Sequence, residues 1–448
     1  MRYGWKVLVI AVLILSLLMP MLMLRGLVQE RQQRAFEVRA EIANSSSREQ
    51  RVVGPLLRIQ IEEVVRVRRK SMVNGVEREG VEEVRRSDAY VIAPERLAIH
   101  NNLRTEVRHR GLFSAMLYHD AIDASADFVW PAAPVLDAQR LSWKIVAADI
   151  VLGLGDNRGI GHIAFSAGGE ALAVEPGTGI AWLPDGVRLP LSATLLARLN
   201  AADALPLAGT LELSGSERLS WVPVGGETQV DARADWPHPS FQGNTLPQAP
   251  SIDAHGFSAQ WTVSRLSSQA HGAVQECPLA QSRCPAMEGA AFTVALVDPV
   301  DRYLKTDRAM KFALLFLVLV FGAVFFIEVL KGVLVHPLQY GLAGLALAIF
   351  FLLLLALSEH LGFGLAYGLA ALSCVGLIAT YMGGVLGSRR RGLGFASLLG
   401  LLFGLLFGLL QSEDFALLIG ALALFVALAT VMLLTRRLDW YRVNERGR

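Results

Sequence analysis

Glu359 and His360 stand side by side in a short polar stretch, Ser358-Glu359-His360, between two long apolar runs. A carboxylate beside an imidazole can pass protons, and ionisable groups at membrane depth often carry function. The plainer reading places both at the water interface, where they end two helices. The flanking runs hold almost no other charged or amide side chains, which favours that reading over an ion or solute route. Glu328 lies near the end of another apolar run with Lys331 three residues on, and a snorkelling ion pair accounts for it. Cys277 and Cys284 bracket Pro-Leu-Ala-Gln-Ser-Arg. Such a pair suits a disulfide in an oxidising compartment; a zinc pair is the alternative, but no His or second Cys pair accompanies it. Cys374 sits inside an apolar run and reads as a small apolar residue.

Other motifs are weaker. Gly153-Leu154-Gly155-Asp156-Asn157-Arg158-Gly159 is rich in glycine but follows a strand pattern, so a strand-to-turn corner is favoured over a phosphate cradle. Arg66, Arg68, Arg69 and Lys70 are flanked by Glu62, Glu63, Glu82 and Glu83, as on a solvated strand face rather than an anion site. The sequence contains no G-x-S-x-G elbow, H-E-x-x-H pair, Walker loop or Rossmann fingerprint after a strand. No catalytic residue, metal ligand or cofactor is therefore expected. A net charge of +2 argues against a nucleic-acid partner.

The elements that must position these residues are set by hydropathy. The chain is 53% hydrophobic and 18% charged, but unevenly so. One apolar run covers Val7 to Leu24, and five more cover about Met310–Leu330, Leu338–Leu357, Phe363–Met382, Leu393–Leu410 and Phe415–Leu434. Each approaches the roughly 20 residues that cross a bilayer. The first ends at Leu24-Arg25-Gly26 without a small-residue cleavage site, so an uncleaved anchor is expected. Lys331, then Arg389, Arg390 and Arg391, then Arg436, Arg437, Arg442, Arg446 and Arg448 mark alternate loops. Ser358-Glu359-His360 and Gln411-Ser412-Glu413-Asp414 mark the others. The positive-inside rule puts both termini in the cytoplasm and the large insertion on the exported side. Arg25, Arg31 and Arg34, which follow the first run, weaken the local signal there.

Residues 27–43 are rich in helix formers and extend the first helix to a stop at Asn44-Ser45-Ser46-Ser47. The period then changes to two, as in Leu57-Arg58-Ile59-Gln60-Ile61-Glu62, and Asn74-Gly75 predicts a type I′ hairpin. Strand patterns recur at Ala89–Ile92, Leu97–Ile99, Thr105–Arg108, Ala115–Tyr118, Ile145–Leu152, Gly209–Leu213, Gln229–Ala232, Phe257–Val263 and Phe292–Val297, with a helix near Ala193–Leu199. The fold class expected is a six-span helical membrane bundle with a large, exported, mainly β domain, antiparallel and sandwich-like, inserted between spans 1 and 2. Its divisions are residues 1–25, 26–309, 310–435 and a cytoplasmic tail, 436–448. In the fifth span Ala396, Gly400, Gly404 and Gly408 recur every fourth residue, a small-residue packing face within the bundle or between copies. Gly341, Gly344, Gly362, Gly364 and Gly368 continue the theme.

Several strings resemble one family. Leu334-Val335-His336-Pro337-Leu338-Gln339-Tyr340-Gly341 with Leu357-Ser358-Glu359-His360-Leu361-Gly362 is similar to the membrane signature of the CreD family of bacterial inner membrane proteins. In the β region, Arg108-His109-Arg110-Gly111-Leu112-Phe113, Trp236-Pro237-His238-Pro239-Ser240-Phe241-Gln242-Gly243, Gly256-Phe257-Ser258-Ala259-Gln260-Trp261 and Val297-Asp298-Pro299-Val300-Asp301-Arg302-Tyr303 resemble its other motifs. Gln50-Arg51-Val52-Val53-Gly54-Pro55 lacks the Trp-Gly that often precedes this element in the family, and the Cys277/Cys284 loop is not a family feature. The resemblance implies an inner membrane protein that is an output of the Cre two-component system, with roles in cell envelope integrity, colicin tolerance and the response to β-lactams. It implies no catalytic residues. His336, Pro337, Gln339, Tyr340, Ser358, Glu359 and His360 match its strongest motif. The partners expected are the lipid bilayer, a periplasmic protein or cell-wall component, and a second copy through the Gly-rich helix faces. The competing expectation is a transporter or lipid-handling protein using Glu359 and His360 at the outer interface.

Overall fold

The computed structural model describes residues 2–73, 76–129, 140–201, 203–297, 302–331, 335–385, 387–411 and 416–436. The chain divides into a helical unit, Met1–Glu37 with Val300–Arg448, and a β unit, Val38–Pro299. The first helix, α1 (Arg2–Ser45), opens the chain and ends inside the Asn44–Ser47 stop.

The β unit runs β1 (Gln50–Val73), β2 (Val76–Ile92), β3 (Arg96–Arg110), β4 (Phe113–Phe128), β5 (Arg140–Gly153), β6 (Ile160–Ala167), β7 (Glu170–Ala171), β8 (Glu175–Pro176), β9 (Gly186–Pro190), α2 (Ala193–Asn200), β10 (Leu205–Ser216), β11 (Arg218–Val222), β12 (Glu227–Ala234), β13 (Pro239–Gly243), β14 (Gln248–Asp253), β15 (Gly256–Ser264), α3 (Ala270–Glu276), α4 (Pro285–Gly289) and β16 (Phe292–Leu296). One sheet has the order β13-β16-β11-β1-β5-β9-β8, with β2 also on β1; the other has β14-β15-β12-β3-β4-β10-β6-β7. Inward residues of both sheets, such as Leu56, Ile59 and Ile150 with Ile99, Ile122, Leu211 and Trp261, form one core. This is a sandwich.

Period-two alternation explains the layers. β15 buries Phe257, Ala259, Trp261 and Val263 and exposes the residues between them. Trp221, Trp261, Phe292 and Phe241 meet at ring separations of 5.2–5.8 Å. The Trp221 indole N–H donates to Asn101 Oδ1 at 3.2 Å, so its polar edge is satisfied inside the core. The antiparallel expectation needs correction in two places: β1 pairs with β11, and β3 with β12, in parallel. Each partner lies more than a hundred residues away in sequence, and a two-residue-period pattern carries no direction. The segments Leu97–Ile99 and Thr105–Arg108 belong to one strand, β3. Asn74 and Gly75 lie outside the described residues, while their neighbours Val73 and Val76 are register partners.

The helical unit continues with α5 (Arg302–Lys311), α6 (Ala313–Lys331), α7 (Pro337–His360), α8 (Phe363–Val385), α9 (Arg389–Gln411) and α10 (Ala416–Thr435). Among the described residues, four helices, within Trp5–Ser45, Pro337–His360, Phe363–Val385 and Arg390–Gln411, are long and apolar enough to cross a membrane. The pair Arg302–Lys311 and Ala313–Val329, bent by 47°, makes five if counted as one span. The expected boundary at 309 shifts to the undescribed stretch before Arg302, because α5 buries Tyr303, Thr306, Ala309 and Met310 in the helical unit. Phe350 and Phe403 stack edge-on at 4.7 Å, and the Tyr367 hydroxyl donates to the Phe403 carbonyl at 2.6 Å. Residues 412–415 and 437–448, which hold much of the charge used to read topology, lie outside the described residues.

Asp120 stands out among the buried polar groups of the β core. It alternates inward on β4 between Tyr118 and Ile122 and is 2% exposed. Neither carboxylate oxygen reaches a hydrogen-bond partner among the described residues. Burial pushes its pKa well above the usual carboxylate range, against weak opposition from the Asn102 backbone amide. Between the unfolded value, about 4, and the raised folded value, the native state keeps a proton that the unfolded chain has lost. Stability therefore falls as pH rises through that window. Asp120→Asn is expected to flatten this dependence and raise the melting temperature at neutral pH, measured by thermal unfolding of the full chain across pH.

Candidate functional site

The seven residues of the membrane motif all belong to α7 or its N-cap, but they do not meet. His336 and His360 are separated by the whole helix, about 36 Å at 1.5 Å per residue. They form two clusters, one at each end.

At the start of α7, His336 is the N-cap. Its Nδ1 accepts from the Leu338 backbone N–H at 3.2 Å, and its own N–H donates to Gln339 Oε1 at 2.9 Å. Pro337 occupies the first turn, where its missing N–H costs nothing. His336, Pro337 and Gln339 therefore make a reciprocal capping box. Tyr340 points inward, 1% exposed, and donates from its hydroxyl to Glu328 Oε2 at 2.9 Å. The other oxygen of Glu328 takes the Lys6 ammonium. Glu328 is itself 1% exposed. Helix packing brings Lys6 to Glu328 from across the sequence in a buried tie among α1, α6 and α7, while the side chain of Lys331, the partner expected from spacing, lies outside the described residues.

At the other end, Ser358 is buried and its hydroxyl donates back to the Leu355 carbonyl at 2.8 Å. Arg302 Nη1 donates to the carbonyls of Ser358 (3.2 Å) and Glu359 (2.9 Å), so a guanidinium closes the C-terminal turn of α7. The Tyr303 hydroxyl donates to Glu359 Oε1 at 3.3 Å, and Arg31 Nε lies 3.8 Å from the same oxygen. Asp307 carries on the belt, 3.7 Å from Arg25 and 2.9 Å from Lys311. His360 is exposed. Glu359 thus joins α1, α5 and α7. Arg302, Tyr303 and Asp307 carry as much of this cluster as Glu359, and only the match of Arg302-Tyr303 to a family string pointed to them.

Close helix approach falls on other glycines than the expected ladder. A Cβ on Gly344 would lie 2.2 Å from Leu17 Cδ1 and 2.9 Å from Phe321 Cζ, and one on Gly392 2.8 Å from Gly383 Cα. Cβ atoms at Gly400, Gly404 and Gly408 meet nothing within 4 Å among the described residues. α9 buries Phe395, Leu399, Phe403 and Leu406, while Ala396 and Gly408 are half-buried and Gly400 and Gly404 exposed. Ala396 lines a groove with Gly383, Gly392 and Leu393. Among the described residues, no three His, Cys, Asp or Glu side chains gather as metal ligands. Cys277 and Cys284 are bonded to each other, Cα–Cα 6.0 Å, between α3 and α4.

The model of the family described as Inner membrane protein CreD matches residues 2–441. The chain belongs to the CreD family. Inner membrane protein CreD of Escherichia coli K12 is 36% identical over 446 residues, covering 98% of this chain and 93% of that protein. Together with the apolar helices, this puts the chain among multi-pass inner membrane proteins. Among solved structures, an M1 zinc metallopeptidase from Deinococcus radiodurans bound to a Tyr-Ser-Ala substrate aligns with 45% of this chain and 42% of its own, at 9% identity and TM-score 0.24, a likeness that carries no argument.

Residues of several CreD-like strings in the β unit are bonded within the fold. The Gln50 side-chain amide is buried and donates to Ser47 Oγ (2.9 Å), Asp156 O (3.0 Å) and Ser214 O (2.9 Å), while its Oε1 accepts from the Asp156 N–H (3.1 Å). Asp156 caps the short 3-10 turn at Asn157–Gly159, which resolves the Gly-rich stretch as a corner. Hydrogen bonds from the Arg158 guanidinium hold the Asp156 carboxyl well below the usual range. The Trp236 indole donates to the carbonyls of His238 and Val297, both at 3.1 Å. Arg110 and Phe113 close the β3–β4 hairpin, with Arg110 on Glu41 at 2.9 Å.

Removing one partner of a buried ion pair strands the other. Glu328→Gln is expected to destabilise the helical unit by about 3–5 kcal/mol, whereas Tyr340→Phe removes one hydrogen bond and costs about 0.6–1.7 kcal/mol. Lys6→Met with Glu328→Met is expected to be milder than Glu328→Gln alone. Thermal stability of the detergent-solubilised chain checks all three.

Proposed function

We propose that the chain is a non-enzymatic, six-span inner membrane protein that supports cell envelope integrity and the response to envelope stress, β-lactams included. In this reading both termini are cytoplasmic and the β unit is a periplasmic binding module for a protein or cell-wall component. The observation that carries it is the use made of the motif residues. His336, Pro337 and Gln339 cap a helix, Tyr340 bonds to Glu328 of α6, Ser358 bonds within its own helix, and Glu359 is held by Tyr303 and Arg31. Groups spent on tying helices at both ends of α7 favour a rigid platform over a proton or solute path.

The orientation gains support from the same contacts. Arg25 and Arg31 confuse the charge rule after the first span, but Asp307 and Glu359 stand beside them. Arg34 pairs with Glu37 at 3.0 Å. Paired arginines weigh less against a cytoplasmic N-terminus than bare ones. The bonded Cys277 and Cys284 fit an oxidising compartment for the β unit.

The test is complementation of a strain lacking its own copy, under β-lactam challenge, with the amount of protein in the membrane measured alongside growth. Glu359→Gln with His360→Ala is expected to rescue in proportion to its abundance. Wild-type abundance with no rescue would instead support the transporter or lipid-handling reading.

A further inference from the structure

The β1–β2 pairing is the longest in the β unit and runs without a bulge from Leu57 opposite Ile92 to Val73 opposite Val76. β5 supports β1 on its other side only as far as Val65. Beyond that point residues 66–73 and 76–83 form a two-stranded ribbon about 27 Å long. Among the described residues, β2 pairs with β1 alone, so no strand lies on its outer edge, although α3 packs near part of β2. From Val81 to Tyr90 side chains on both faces of β2 are exposed, except for half-buried Val84. Two-stranded ribbons are marginal by themselves, and an open, bulge-free edge is a template for another strand.

The charges on this edge select the strand. In an antiparallel pair related by a twofold axis, the residue on the axis opposes its own copy and residues equally far on either side oppose each other. With Val84 on the axis, Glu83 opposes Arg85 and Glu82 opposes Arg86, each pair made twice. Arg78 then opposes Tyr90, and no like charges face one another. Moving the axis one residue toward the N-terminus sets Glu83 against Glu83; one residue the other way sets Arg85 against Arg85 and Glu82 against Asp88. An axis between residues opposes outward-pointing with inward-pointing amides and makes no ladder. An axis on Ser87 also opposes no like charges but makes only the Arg86–Asp88 pair, so the Val84 register makes the most opposite-charge pairs. The same mixed charges repel strands without the complementary order, which protects a long edge from promiscuous pairing.

We propose that the outer edge of β2 is a homodimer interface, in which β2 strands of two copies pair antiparallel about Val84 and join two ribbons into one four-stranded sheet.

The test uses the full chain in membranes, with the native cysteines as background control. Directly opposed residues of an antiparallel pair have Cα atoms within disulfide range. Val84→Cys is expected to form a covalent dimer on mild oxidation, while Ser87→Cys alone does not. Ser87→Cys co-expressed with Val81→Cys is expected to link. In the Val84→Cys background, Glu82→Arg/Glu83→Arg loses the dimer band, and so does Arg85→Glu/Arg86→Glu, because each sets like charges opposite. Co-expression of the two reversed chains restores the band, which also shows that both fold. High salt weakens the contact. The proposal is overturned if Val84→Cys reacts with maleimide but gives no dimer, if the band ignores charge reversal, or if the cysteine links to a different protein.

Discussion

A charge or polar group withdrawn from water must find a partner, and that constraint organises the helical unit. Its helices are mostly hydrocarbon, so the few ionisable side chains are placed where others can reach them. Glu328 is met by Lys6 and Tyr340 at one end of α7, and Glu359 by Tyr303 and Arg31 at the other. The unsatisfied backbone groups of α7 follow the same rule: His336 and Gln339 serve its first turn, and Arg302 its last. α7 is thereby fixed at both ends, and between them Gly344 lets Leu17 and Phe321 approach it.

The β unit obeys the constraint differently. Its sandwich buries apolar side chains in alternation, and its most deeply placed polar groups mostly come with partners, as Gln50 and Asn101 do. Gln50 draws the start of β1, the Asp156 corner and the end of β10 to one amide, so one side chain joins three remote segments. Asp120 departs from the rule, and its carboxyl answers by holding its proton.

Much of this was legible in the sequence. Apolar runs, period-two alternation after Ser47, and the Ala193–Leu199 helix correspond to α1 and α6 to α10, the strands and α2, and among the described residues four of those helices are long and apolar enough to cross a membrane. Those signals are local: a bilayer requires a length, and a strand requires a period, and both are written in consecutive residues. The family was legible too, because its strings are specific. Where local rules were extended to partners they faltered. Spacing offered Glu328 only Lys331, three residues away, whereas Lys6 reaches it from the far end of the sequence. The Ala396–Gly408 ladder suited a packing face, yet α9 buries its phenylalanines and leucines instead. The sequence by itself determined which segments are apolar, which alternate and which family they belong to, since these depend on neighbours along the chain. Only the tertiary structure decided that one seven-residue motif is two separate clusters, that two strand pairs are parallel, and that Glu359 answers to Arg31 and Tyr303. Those outcomes depend on contacts between distant residues, which the order of residues along the chain does not state.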